Sequence, residues 1–178
     1  EPIDLDRIAA IEAEIQHDLM AAVRAFAEQA PLGGPVIHLG ATSADIEDNA
    51  DALRLRAALS LIQSRLAALL RALAGRALDW SDVPVMAFTH LQPAEPTTAG
   101  YRLCLYLQDL AFDYATIAQM RDEVRGKGLK GAVGTAASYA ALLAGSPVAA
   151  PELEARVMAA LELQAYPITG QTYPRKQD

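Results

Sequence analysis

Cysteine is nearly absent from this chain, and Cys104 alone cannot form an internal disulfide. It falls inside an apolar helical pattern, so we expect a core thiol kept in a reducing compartment. Aromatics are scarce as well, at 6% of 178 residues, while alanine and leucine dominate. Unbranched side chains lose little rotamer freedom in a helix, so the composition points to an all-α fold. A basic excess is also missing. With a formal net charge of −7 and a pI near 4.9, nucleic acid and anionic membrane are excluded as main partners, because both need a basic face. A small anionic substrate stays compatible, since a few local donors outweigh a distant net charge. Residues 131 to 151 lack charge over a membrane-spanning length, but their glycines, prolines and alanines are too weakly apolar and too helix-breaking for a span. No secretory signal is visible, and the opening Glu1-Pro2 in place of methionine reads as a piece of something longer.

What is abundant is apolar matter: 52% of residues, with a mean hydropathy of +0.13, enough for a substantial core in one ordinary globular unit. Ile8, Ile11, Ile15, Leu19, Ala22, Val23 and Phe26 recur at steps of three and four. This spacing predicts one amphipathic helix over about 3–29, ended near Pro31 and Gly33-Gly34. A second helix should start at Thr42 or Ser43, where Thr42-x-x-Asp45 reads as a capping box and Asp45, Glu47 and Asp48 suit the positive end of the dipole. It should run to about Leu78, and its leucines cover more than one stripe, as in a helix packed on several sides. After a Pro84–Pro96 loop, a third long helix should run from near Pro96 to about Gly126 on a spine of Leu103, Leu107, Leu110, Tyr114, Ile117 and Val124. Shorter helices are expected at about 136–144 and 151–164, with loop after Pro167. Helices of about thirty residues exceed the usual three turns, which suggests a bundle shared between chains.

Proton chemistry near neutrality would fall to His17, His38 and His90, the only histidines present. A positioned general acid contributes about 10² to 10⁴ in rate. The three are too widely separated for a local zinc motif, and neither cysteine pairs nor an HExxH string accompany them, so no metal and no cofactor are expected. Thr42 and Ser43 read two ways: as caps, or as hydroxyls that join free N–H groups at a helix N-terminus in gripping a carboxylate or phosphate. Gly126-Lys127-Gly128-Leu129-Lys130-Gly131 spells GxGxxG, yet it follows a helix instead of a strand, so a flexible Lys/Gly turn is the plain reading.

Several segments together resemble the fumarase/aspartase superfamily, and its adenylosuccinate lyase branch most. They are Ile37-His38-Leu39-Gly40-Ala41-Thr42-Ser43 with Asp48-Asn49, Phe88-Thr89-His90-Leu91-Gln92 with Ala94-Glu95-Pro96-Thr97-Thr98, Lys130-Gly131-Ala132-Val133-Gly134-Thr135, and Ile168-Thr169-Gly170-Gln171-Thr172-Tyr173. The resemblance implies a long-helix bundle in which residues 1–41 end an N-terminal helical domain and 42–178 begin a central bundle domain. It implies β-elimination of fumarate from adenylosuccinate and succinyl-aminoimidazole-carboxamide ribotide in a cytoplasmic homotetramer of purine biosynthesis. It also implies His90 as general acid, His17 as its supporting partner, and Gln16, Asp18, His38, Thr42, Ser43, Thr89 and Gln171 as contacts to a phosphorylated succinyl-nucleotide. The family's general base is a serine in a Ser-Ser-x-Met-Pro-x-Lys-x-Asn-Pro loop, and that string does not occur here. The chain on its own is therefore expected to be inactive. Rival readings are argininosuccinate lyase or another fumarate-releasing relative, and a non-catalytic helical oligomerisation module.

Overall fold

Residues 3–178 are described by a computed structural model. It is mostly helical, as composition requires. Helices α1 (Leu5–Ile15) and α2 (Asp18–Gln29) precede a 3-10 turn at Gly34–Val36, after which α3 (Ser43–Asp79) extends without interruption. Strands β1 (Pro84–Thr89) and β2 (Gln92–Thr98) lead into α4 (Ala99–Glu123). A two-residue strand β3 (Arg125–Gly126), helices α5 (Ala137–Leu142) and α6 (Ala150–Ala160), strand β4 (Gln164–Ala165) and a final 3-10 turn at Arg175–Gln177 complete the order.

The expected helix over 3–29 is in fact two. Gln16 adopts a left-handed conformation at φ 54° and ends α1, and His17, extended at φ −150°, caps α2. Apolar spacing continues through the break, so periodicity alone does not register it. The two helices fold back on each other around Ile11, Ala21 and Ala25, with Ile8 and Ile15 against them. Arg7 spans the pair by donating Nε and Nη2 to Glu28 at 2.8 and 2.6 Å, but both groups are exposed and solvent-screened, so the pair adds little stability.

The loop expected between Pro84 and Pro96 is an antiparallel hairpin, with Pro84 opposite Thr98 and Thr89 opposite Gln92. Pro96 pairs with Met86 within the strand and does not open the next helix. Both strands are edges, so each proline can turn its missing N–H away from the ladder. The helix starts three residues later, where the Thr98 hydroxyl accepts the Tyr101 N–H at 3.1 Å.

Two compact units emerge: residues up to Ala52 together with Arg125–Asp178, and Leu53–Val124. In the second, α3 and α4 lie antiparallel, joined by the β1–β2 hairpin. Arg121 donates to Gln63 at one end, and Gly100 lies against Ala77 and Trp80 at the other. A Cβ at Gly100 would sit 2.3 Å from the Ala77 carbonyl oxygen, so only glycine permits this approach. Cys104 is exposed in this unit, contrary to the expected core thiol. The helix pair buries few side chains, and Leu61, Ile62, Leu105 and Phe112 remain between 49% and 68% exposed. By length and composition α3 could cross a membrane, but Arg54, Arg56, Arg65, Arg71 and Arg76 punctuate it, and arginine is costly inside hydrocarbon.

Candidate active site

In the first unit, α3 begins with three polar residues on one face: Asp45, Asp48 and Asn49, at i, i+3 and i+4. All three are buried, and each reaches a segment distant in sequence. Asp45 accepts hydrogen bonds from the Lys127 ammonium at 2.5 Å, the backbone N–H groups of Lys130 and Gly131 at 3.1 and 3.0 Å, and the Tyr139 hydroxyl at 3.0 Å. It also takes the Thr42 N–H at 3.2 Å, the returning arm of the expected capping box. Burial alone would raise the Asp45 carboxyl. Hydrogen bonds from Lys127, Thr42 and Lys130, with the charge of Lys127, outweigh it and hold the group below the usual carboxylate range. Burial, then the charge of Asp45 and the hydrogen bond to it, push the Tyr139 phenol well above its ordinary value.

Asn49 holds Gly128 by both backbone groups, donating to its carbonyl and accepting its N–H at 3.1 Å each. Asp48 takes the Tyr173 N–H at 2.7 Å and Arg175 Nη2 at 2.9 Å. Arg175 in turn lies over the Tyr173 ring, 4.6 Å from its centroid. The 127–131 segment is therefore not the solvated Lys/Gly turn its composition suggests. Lys127 is wholly buried, and Lys130 donates to Glu154 at 2.5 Å. The glycine string follows the short β3, which pairs in parallel with β4, but no helix opens at its end. The geometry of a dinucleotide motif is lacking.

These anchors gather three segments around the start of α3. Ser138 donates to the Gly40 carbonyl at 2.5 Å, joining the 38–42 segment to α5. Gly134, at φ +84°, presses on Thr169, whose carbonyl oxygen would lie 1.9 Å from any Cβ there. Thr42, Ser43, the 131–135 loop and the segment holding Gln171 thus converge. Thr42 and Ser43 are half-buried, while Gln171 is exposed. His38 is also half-buried, and its Nδ1 and the Thr169 hydroxyl are buried without a hydrogen-bond partner among the described residues.

Gln16, His17 and Asp18 occupy the α1–α2 elbow, and their hydrogen bonds stay local. Gln16 turns back to the Ala13 carbonyl at 2.8 Å, His17 Nδ1 accepts the Met20 N–H at 3.4 Å, and Asp18 takes the Leu19 N–H at 2.7 Å. All three side chains are exposed.

Thr89 and His90 belong to the second unit. The two-residue turn joining β1 to β2 is His90-Leu91, both in the left-handed region at φ 49° and 63°. Such hairpin turns ordinarily recruit Asn-Gly, so a histidine-leucine pair here holds backbone strain of about 1–3 kcal/mol per residue. Strain of this kind accumulates at functional sites. The turn projects His90 at the tip, exposed, with Leu91 92% exposed beside it.

A family model described as lyase matches residues 5–170. The chain belongs to this lyase family. It is 40% identical over 176 residues to the adenylosuccinate lyase of Saccharomyces cerevisiae, covering 98% of this chain and 36% of that protein. It is 39% identical over 180 residues to that of Schistosoma mansoni, covering 100% and 38%. Among solved structures, a fumarate lyase from Mesorhizobium sp. BNC1 superposes with a TM-score of 0.81 at 28% identity, over 95% of this chain and 38% of the other. The 3-carboxy-cis,cis-muconate lactonizing enzyme from Pseudomonas putida follows at 0.76 and 27%, over 93% and 37%. The chain therefore spans little more than a third of the length of these relatives.

Sequence reasoning missed Tyr139 and Glu154, read Lys127 as part of a flexible turn, and treated Asp45 only as a capping-box and helix-end residue. Only Asp45 left a signal, at the third position of the capping box.

Proposed function

We propose that this chain supplies the acid-bearing, substrate-holding part of an adenylosuccinate lyase. In this reading a full-length protein carrying it eliminates fumarate from adenylosuccinate and from succinyl-aminoimidazole-carboxamide ribotide in purine biosynthesis, as a cytoplasmic homotetramer. The observation that carries the proposal is the 40% identity to the yeast adenylosuccinate lyase across 98% of the chain. The division at 41/42 is read as a domain boundary of that longer protein. No cofactor or metal enters the reaction.

Elimination needs three things: a base to remove a proton beside a carboxylate, donors for the resulting dianion, and an acid for the departing nitrogen. His90 is assigned as the acid. Its exposed place on a strained turn suits a group delivered to a substrate. His17 supports it, flanked by Gln16 and Asp18 as substrate contacts. Thr42 and Ser43, half-buried at the N-terminus of α3, suit the grip on an anionic group, with Thr89, Gln171 and His38 as further contacts. The base is assigned to a serine loop outside this sequence.

Fumarate release followed by absorbance tests the assignment. The full-length protein should turn over adenylosuccinate, and His90→Ala should cost about 10² to 10⁴ in rate. Mixed with a full-length chain mutated in the serine loop, the His90→Ala chain should regain activity, since family sites are built across subunits. Turnover by the 178-residue chain alone, or a near wild-type rate for His90→Ala, would overturn the roles given to acid and base. Argininosuccinate as the preferred substrate would move the reading to another branch.

A further inference from the structure

The ion pair between Asp45 and Lys127 is completely enclosed, with neither side chain exposed. Burying two charges is expensive, and apolar replacements of similar volume are often as stable or more so. Stability therefore does not by itself account for the pair, and its hydrogen bonds show what an apolar pair could not do. The carboxylate of Asp45 takes the Gly131 N–H with both oxygens, at 3.2 and 3.0 Å, while the Lys127 ammonium donates to the Gly131 carbonyl at 3.0 Å. One residue of the loop is thus gripped on both of its backbone groups. One helical turn on, Asn49 holds Gly128 in the same two-handed way. Asp45 also takes the N–H of Thr42, so a single carboxylate touches both the start of α3 and the 131–135 loop.

We propose that Asp45, paired with Lys127, is a positioning residue for substrate binding: it fixes the Lys130–Gly131 backbone relative to Thr42 and Ser43. The inference rests on the adenylosuccinate lyase reading above, in which Thr42 and Ser43 hold the substrate, and on the loop that Asp45 fixes against them. In this proposal the loop's contacts hold bound substrate and transition state alike. Losing contacts of that kind raises KM and leaves kcat nearly unchanged.

The test is Asp45→Asn in the full-length protein, assayed on adenylosuccinate well below its melting temperature, with amide hydrogen exchange at Lys130 and Gly131 measured in parallel. The expected result is a KM raised at least about tenfold, kcat within about threefold of wild type, and faster exchange at both amides while α4 is unchanged. A purely structural residue would lower the melting temperature without moving KM. An unchanged KM overturns the proposal, whatever the exchange shows. Should Asp45→Asn fail to fold, Tyr139→Phe removes one donor to the same carboxylate and keeps the ring. It should raise KM about threefold, and an unchanged KM again overturns the proposal. If the wild-type protein does not cleave adenylosuccinate, the activity reading fails separately, and unchanged exchange at Gly131 in Asp45→Asn still refutes the positioning.

Discussion

The two units of this chain hold themselves together by opposite means. In the first, every buried polar or charged side chain of the described residues is found: Asp45, Asp48, Asn49, Lys127 and Lys130. These side chains tie loops to one end of α3. In the second, two long helices and a hairpin leave Leu105, Phe112, Phe88 and Leu91 between 56% and 92% exposed. The first unit fixes its loops by pairing buried polar groups, each costly to leave unsatisfied. The second presents apolar surface of the sort that marks an interaction face. Fixing loops and exposing apolar surface are thus served by different physics within one short sequence.

Four measurements would break or sharpen this contrast. The largest effect should come from Gly134→Ala in the first unit. A Cβ there would meet the Thr169 carbonyl at 1.9 Å while φ stays at +84°, and we expect a loss of at least about 3 kcal/mol by urea unfolding. Asp48→Ala should follow at about 2 kcal/mol, because the buried Tyr173 N–H and Arg175 lose a charged acceptor. A third measurement is stability against pH. Asp45 is held below its ordinary value, so its contribution is fully present above about pH 4 and is lost as pH falls through the lower, folded value. Tyr173 is pushed up to about 12, by burial first and then by its hydrogen bond to Asp178. Its contribution is present below about pH 10 and declines as pH rises toward 12, a range that tyrosinate absorbance during unfolding can follow. The smallest effect on stability should be that of Phe112→Lys in the second unit, within about 0.5 kcal/mol because the side chain is exposed. Under the proposed tetrameric assembly, the same substitution should abolish self-association in sedimentation. A stability loss as large as that of Asp48→Ala would show instead that the second unit depends on Phe112 for its own fold.

Much of the helical framework was legible. The second helix was expected from Thr42 or Ser43 to about Leu78 and runs Ser43–Asp79, because capping and apolar spacing act within a few residues. The antiparallel pairing of the long helices agrees with the short connection between them. The break at Gln16-His17 was hidden, since apolar positions keep step across it. The hairpin was hidden too, because a turn through His90-Leu91 has none of the usual Asn-Gly chemistry and Pro93 and Pro96 argue against a strand. The 38–43, 131–135 and 169–173 segments were legible as separate motifs, but nothing in them announced that they converge.

By itself, then, the sequence determined what depends on near neighbours: helical composition, the α3 N-terminus and the motifs that carry the family. Tertiary structure decided what depends on partners far along the chain. Asp45 meets Lys127 82 residues later, and Asp48 meets Tyr173 125 residues later. No local pattern specifies such pairs, because folding alone brings those groups to hydrogen-bonding distance and removes the water that would otherwise satisfy them.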